Sequence, residues 1–184
     1  LARKHVIFSV GEIYYFSRLI EAEYVDYNRA IPKTHVTEVF INMEQFKAAI
    51  ERALLISEDK LGGNYHTFVK MDFSDNMLKV SADSTSGSVY EEVPVAINGE
   101  DMLIGFNCRF LMEALKACPD DIYTLRIRMS GPLLGAVIEE ASGSGYIKDD
   151  DSVVPDEFKD PDGDEKEKER FIFVVMPVRI NGQG

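Results

Sequence analysis

Tryptophan is absent from the 184 residues, histidine occurs three times and cysteine twice, and basic residues are outnumbered. Twenty Lys and Arg stand against 32 Asp and Glu, a formal charge of −12. Each shortage excludes something. The acidic balance argues against a tight, purely electrostatic grip on nucleic acid, which needs a clustered basic face. His5, His35 and His66 are scattered, and none stands at metal-ligand spacing with a Cys, an Asp or a second His. Neither a GxSxG nor a Walker loop occurs, and Gly143-Ser144-Gly145 leads into acidic sequence rather than a helix. Asp160, Asp162 and Asp164 match the start of a calcium loop. Glu165, however, stands where the turn needs Gly, and Phe171 where the bidentate Glu belongs. No catalytic, metal or cofactor set is expected, and the chain is not expected to be an enzyme. Apolar runs fall well short of the ~20 residues that cross a bilayer. The opening LARKHVIFSV has no secretory pattern and no start Met, and reads as a fragment. Cys108 and Cys118 fall in what reads as one helix, about 15 Å apart at the usual rise and too far for a disulfide. Free thiols in a reducing, cytoplasmic setting are expected.

What is present is short alternating runs bounded by Gly, Asn, Asp and Pro. HVIFSV and EIYYFSRLI, joined at Gly11, read as a hairpin, and EAEYVDYNRAIPKT as a linker ending near Pro32. VTEVFIN is a strand whose Asn42 caps the helix MEQFKAAIERALLIS. Strands HTFVKMDFS, MLKVSADS and SVYEEVPVAI follow, with Asp75-Asn76 at the first turn. The order then repeats. DMLIGF is a strand, Asn107 caps CRFLMEALKAC, Pro119 stops that helix, and IYTLRIRM, LLGAVIEE and FIFVVMPVRI are strands. Asn42, Phe46, Ala49 and Ile50 match Asn107, Leu111, Ala114 and Leu115 at identical offsets, and Pro94-Val95-Ala96-Ile97 matches Pro177-Val178-Arg179-Ile180. The fold class expected is α+β, a duplicated β-α-β-β-β unit with two helices on one face of antiparallel sheets. The second copy is longer by an acidic insertion at about 143–170, whose residues 148–170 carry half of the chain's excess charge. Such a segment is expected to be disordered at a hairpin tip.

Helical wheels sort the two helices. Phe46, Ala49, Ile50, Ala53 and Leu54 form the buried stripe of the first, with Lys47 at its edge and Glu51 and Arg52 away from it. Leu55 and Ile56 also fall off the stripe, either as a fraying turn under the next loop or as a subunit contact. In the second helix Cys108, Leu111, Met112 and Leu115 are expected inside, and Arg109, Glu113 and Lys116 outside. Phe110 lies on the wrong side, as an ordinary exposed aromatic or as the wall of a partner groove beside the Pro-containing tail.

The doubled unit, LIEAEYVDYNRAIP, the IGFN helix start and the closing VVMPVRI together resemble the bacterial DNA polymerase III beta subunit family, the sliding clamps. The resemblance covers nearly the whole chain apart from the acidic insertion and the final NGQG. It implies that residues 1–32 end a middle clamp domain plus linker, and that 33–184 form the third. It implies a homodimeric ring around duplex DNA, with sheets outside and helices lining the hole, that tethers the polymerase without reading sequence. Lys47, Arg52, Arg109 and Lys116 would then face DNA. A hydrophobic groove would take short peptides from polymerase, clamp loader and repair proteins. Its matching positions are Arg29 and Ala30 in the linker, Leu61, Asn107 and Phe110, then Leu133 and Gly135. The tail adds Val174, Val175, Met176, Pro177, Val178 and Arg179. Val25 stands where the family commonly has Pro. Leu55 and Ile56, with Glu91 and Glu92, would meet the other subunit, and a fragment without that subunit's first domain is expected not to close a ring. The alternative is a non-DNA interaction module of the same fold.

Overall fold

The computed structural model describes residues 4–57, 68–84, 87–141 and 171–180; the acidic insertion lies outside them. The leading hairpin forms as read. β1 (His5–Val10) and β2 (Ile13–Arg18) pair antiparallel from His5↔Arg18 to Val10↔Ile13, and Gly11 supplies φ +60° at the turn. These strands make a separate two-stranded sheet on which Phe8, Tyr14, Tyr15 and Phe16 stay exposed. A 3₁₀ turn at Tyr27–Arg29 follows, capped by the Asp26 carboxylate, which accepts from the Asn28 amide.

The unit written twice is built twice. The first copy is β3 (Thr37–Asn42), α1 (Met43–Ser57), β4 (Phe68–Ser74), β5 (Met77–Ser84) and β6 (Gly87–Gly99). The second is β7 (Met102–Asn107), α2 (Cys108–Lys116), β8 (Thr124–Met129), β9 (Ala136–Glu140), β10 (Ile172–Val175) and β11 (Pro177–Val178). Each helix begins where an Asn ends a strand, because that side chain takes up amides the first turn leaves unpaired. Asn42 Oδ1 accepts from Gln45 N at 3.0 Å, and Asn107 Oδ1 from Arg109 N at 3.0 Å and Phe110 N at 3.3 Å. The same two residues interlock the copies. Asn42 pairs with Thr124 and Asn107 with Phe68, so β3 lies beside β8 and β7 beside β4.

All ladders are antiparallel, in the order β10-β9-β8-β3-β6-β5-β4-β7-β11. β6 bends between the two halves of this array: Pro94 still pairs with Met77 of β5, whereas Val95 pairs with Ile41 of β3. Its counterpart does not bend but breaks. FIFVVMPVRI, read as one strand, is two: β10 pairs with β9, β11 pairs with β7 at the opposite end of the order, and Met176 alone separates them. The array's two edges therefore meet at Met176, and Pro177, which has no amide to donate, sits on an edge strand where none is needed.

Inner faces and helices share one core. Val69, Met71, Phe73, Leu78, Val80, Ile104, Leu125 and Ile127 meet Phe46, Ile50, Leu111 and Leu115 with almost no exposed surface. Burying each such side chain contributes about 1.5–3 kcal/mol. The wheels hold closely, except that Leu54 is only half-buried. The β4–β5 turn uses Asp75 and Asn76 at φ 54° and 55°, the type I′ geometry that matches strand twist. Gly99 is obligatory: its φ is +112°, and an added Cβ would lie 2.0 Å from the Val36 carbonyl oxygen. Cys118 corrects the reading of one long helix, since α2 ends at Lys116 and Ala117 caps it. Both thiols are buried, and neither is in a disulfide.

Candidate functional site

Three sets of side chains picked out in the sequence can be followed into the structure. The first assembles at the seam where β10 and β11 meet. Asn107 at the end of β7 and Phe110 of α2 face Val174, Val175, Met176, Pro177 and Val178 across an open cleft of about 660 Å³. This lies within the range of roughly 300–1,000 Å³ typical of ligand pockets. Phe110 and Met176 remain 59% and 61% exposed, so two large apolar side chains are held out toward solvent on either side. Phe110 is displayed because capping by Asn107 fixes the helix start, and the buried stripe through Cys108, Leu111 and Leu115 turns Phe110 outward. Gly135 adjoins the same wall: a Cβ there would come within 3.1 Å of Met176 Sδ and 3.2 Å of Val174 Cγ1. Leu133, two residues earlier, is exposed.

Other expected groove residues are not brought in. Arg29 and Ala30 lie exposed in the linker, where Arg29 pairs with Asp26 at 3.2 Å, and neither lines the cleft. Arg179 is exposed just past β11 and is not among the lining residues, and Leu61 lies outside the described residues. The structure adds Glu113, Ala114 and Phe173 to the walls. Glu113 and Ala114 follow Phe110 by three and four positions, the helical neighbours that spacing alone identifies once Phe110 is taken as a wall.

The second set gathers at the end of α1. Arg52 lays its guanidinium on Glu91, Nε toward Oε1 and Nη2 toward Oε2 at 2.5 Å. The hydrogen bond to Glu91 raises the Arg52 pKa above its ordinary value. Leu55, one turn further on, is 75% exposed; Ile56 is half-buried. On β6, Tyr90 donates to Glu92 at 2.6 Å, which raises the phenol's pKa. Arg52, expected with the basic set, thus joins Glu91 on the side of β6 that faces α1, with Leu55 one turn on, whereas Glu92 lies on the opposite face of the strand beside Tyr90.

The third set lies on α1 and α2, which pack side by side. Arg109 and Lys116 are exposed and Lys47 is half-buried. Glu51 and Glu113 stand among them, also exposed, so the helix surface mixes both signs. Among the described residues no group of three or more His, Cys, Asp and Glu is placed to hold a metal ion, and no helix is long and apolar enough to cross a membrane.

Residues 28–147 match the family model for the DNA polymerase III beta subunit, C-terminal domain. A beta sliding clamp of Staphylococcus epidermidis is 32% identical over 154 residues, 83% of this chain and 37% of the relative. One from Staphylococcus aureus is 34% identical over 122 residues, 65% of this chain and 31% of the relative. Among solved structures, the DNA polymerase sliding clamp of Pseudomonas aeruginosa superposes with a TM-score of 0.72 at 23% identity, over 98% of this chain and 41% of that one. The beta subunit from Thermotoga maritima gives 0.70 at 23%, over 97% and 40%. These likenesses establish the fold, and the chain spans well under half the length of each relative. With the doubled unit seen both in sequence and in space, the chain belongs to the DNA polymerase III beta subunit family, the sliding clamps, and carries that family's C-terminal domain.

Proposed function

We propose that the chain is the C-terminal part of a homodimeric ring that encloses duplex DNA without reading its sequence and docks short peptides in the cleft at Met176. It is a non-catalytic accessory of the replicative polymerase, with polymerase, clamp loader and repair proteins as the docking partners, and acts in the cytoplasm. Residues 1–32 end the middle domain, whose remaining strands would cover the aromatics exposed on β1 and β2. Residues 33–184 are the third domain. Leu55, Ile56, Glu91 and Glu92 meet the other subunit, while Lys47, Arg109 and Lys116 look into the hole. Arg52, bound to Glu91, braces the subunit contact more than it serves DNA. The few bases among acids suit sliding, since enclosure retains what weak attraction would release.

The cleft is the observation that carries this reading: Phe110 and Met176 stand exposed on facing walls joined by Pro177, a largely apolar site left uncovered among the described residues. The test is fluorescence anisotropy of the full-length protein with a labelled peptide from the polymerase C-terminus. Saturable binding that is lost in Met176→Ala plus Phe110→Ala supports docking; binding that ignores both substitutions removes it. Retention on nicked circular DNA that vanishes on linearisation supports enclosure, and retention on both forms sinks it.

A further inference from the structure

The walls of the cleft are apolar with two exceptions, Asn107, whose side-chain oxygen caps α2, and Glu113. Phe110, Ala114, Phe173, Val174, Met176 and Val178 offer only carbon and sulfur, whereas Glu113 brings a carboxylate. Glu113 follows Phe110 by three positions on α2, which puts their Cβ atoms about 5–6 Å apart on one helix face. A segment that seats an apolar side chain between Phe110 and Met176 therefore presents its next residues to Glu113. Arg109 and Lys116 lie a turn to either side on the same helix, but neither lines the cleft. Glu113 is thus the one ionisable side chain among the described lining residues, in a chain of net charge −12. From this charge pattern, and resting on the docking reading above, we infer that the cleft selects cationic peptides: an apolar anchor flanked by Lys or Arg, with Glu113 as the residue that sets the preference.

Exposure sets the size of the effect. Glu113 is solvated, so its pairing with a peptide cation is screened by salt and reaches about fivefold in Kd at low ionic strength. Affinity itself comes from the apolar anchor, as at other interfaces where aromatic side chains in a pocket dominate.

The experiment uses the full-length protein and three synthetic peptides with one Leu- and Phe-containing core, flanked on both sides by Lys, by Gln or by Glu. Anisotropy titrations at low and at physiological salt are expected to rank Lys above Gln above Glu, with about fivefold between the first two at low salt and less at high salt. In Glu113→Gln the affinities of the three peptides should converge. Equal binding of all three to the native protein overturns the charge selection and leaves the docking site standing. A ranking that survives Glu113→Gln overturns the role given to Glu113. Failure of every peptide to bind, with Phe110→Ala equally silent, instead removes the docking reading on which the inference rests.

Discussion

Lys70 and Arg126 occupy equivalent places in the two copies, each two residues beyond the strand position that pairs with a helix-capping Asn. So do Asp72 and Arg128. Lys70 is exposed and Asp72 half-buried, as expected for the outward rows of an antiparallel sheet. Arg126 and Arg128, in contrast, are 3% and 4% exposed. Arg126 reaches Glu139 through Nε at 2.8 Å and Nη2 at 2.7 Å, Arg128 reaches the same carboxylate at 2.8 Å, and Arg126 also faces Glu38 at 3.6 Å. Phe40 and Val137, on the same outward rows, are buried as well. One topology therefore carries two kinds of outer surface. Strand pairing dictates which face a residue takes, but not whether water reaches it.

The largest expected effect breaks this contrast directly. Arg126→Ala takes the cation at 3.6 Å from buried Glu38 and leaves Glu139 to Arg128, at a cost of about 3–5 kcal/mol in unfolding free energy. Lys70→Ala, at the equivalent exposed position, should stay within about 0.5 kcal/mol. Urea denaturation of both variants measures the pair, and equal losses would show that the buried network adds nothing to its half of the molecule.

A second contrast lies at the caps. Asn42→Ala and Asn107→Ala each remove amide acceptors at a helix start and should each cost about 1 kcal/mol. Only Asn107 lines the cleft, so only its loss should also weaken peptide binding. Thermal melts paired with anisotropy separate the two effects, and a matching fall in peptide affinity for Asn42→Ala would argue that general loosening, not the cleft wall, is being read.

Much of this was legible beforehand because it depends on local chemistry. Asn42 and Asp75-Asn76 announce a cap and a turn through their own backbone preferences, and the stripe from Cys108 to Leu115 follows helical periodicity. The repeat fixed equivalences such as Asn42 with Asn107. The features that escaped are set by pairing partners remote in sequence. That FIFVVMPVRI must break at Met176 follows from β9 and β7 being its two neighbours, which no local pattern reveals. Arg126 and Arg128 alternate as an outward row should, and only the structure shows Glu38 and Glu139 beside them. Arg52 read as a cation on an open helix face until Glu91 arrived from a strand 39 positions away.

That last pairing sharpens a comparison between the helices. Removing a phosphate contact lowers the salt slope of DNA retention by about 0.9 for each charge lost. Arg109→Ala and Lys116→Ala on α2 should approach this, whereas Arg52→Ala on α1, its guanidinium already committed to Glu91, should change the slope little and weaken dimerisation instead. The readouts, which presuppose the enclosure proposed above, are retention of the full-length protein on nicked circles across a salt series and sedimentation of each variant.

The smallest effect concerns the thiols that bracket α2. Cys108 at the helix start is fully buried, its Sγ donating to the Ile50 carbonyl, and Cys118 beyond the helix end is nearly so, its Sγ donating to the Ala114 carbonyl. Burial pushes the Cys118 pKa up to about 11 from 9.0, with Lys47 opposing more weakly. Only the thiolate attacks an alkylating reagent, so two pH units leave about a hundredfold less reactive sulfur at neutral pH. The neutral thiol is favoured by folding, so its contribution to stability is complete below pH 9 and is lost as pH climbs toward 11. Iodoacetamide labelling of the native chain at pH 8 should therefore be slow at both sites and become fast in urea. Rapid native labelling of Cys118, with Cys108 protected, would show that the end of α2 opens more readily than its start.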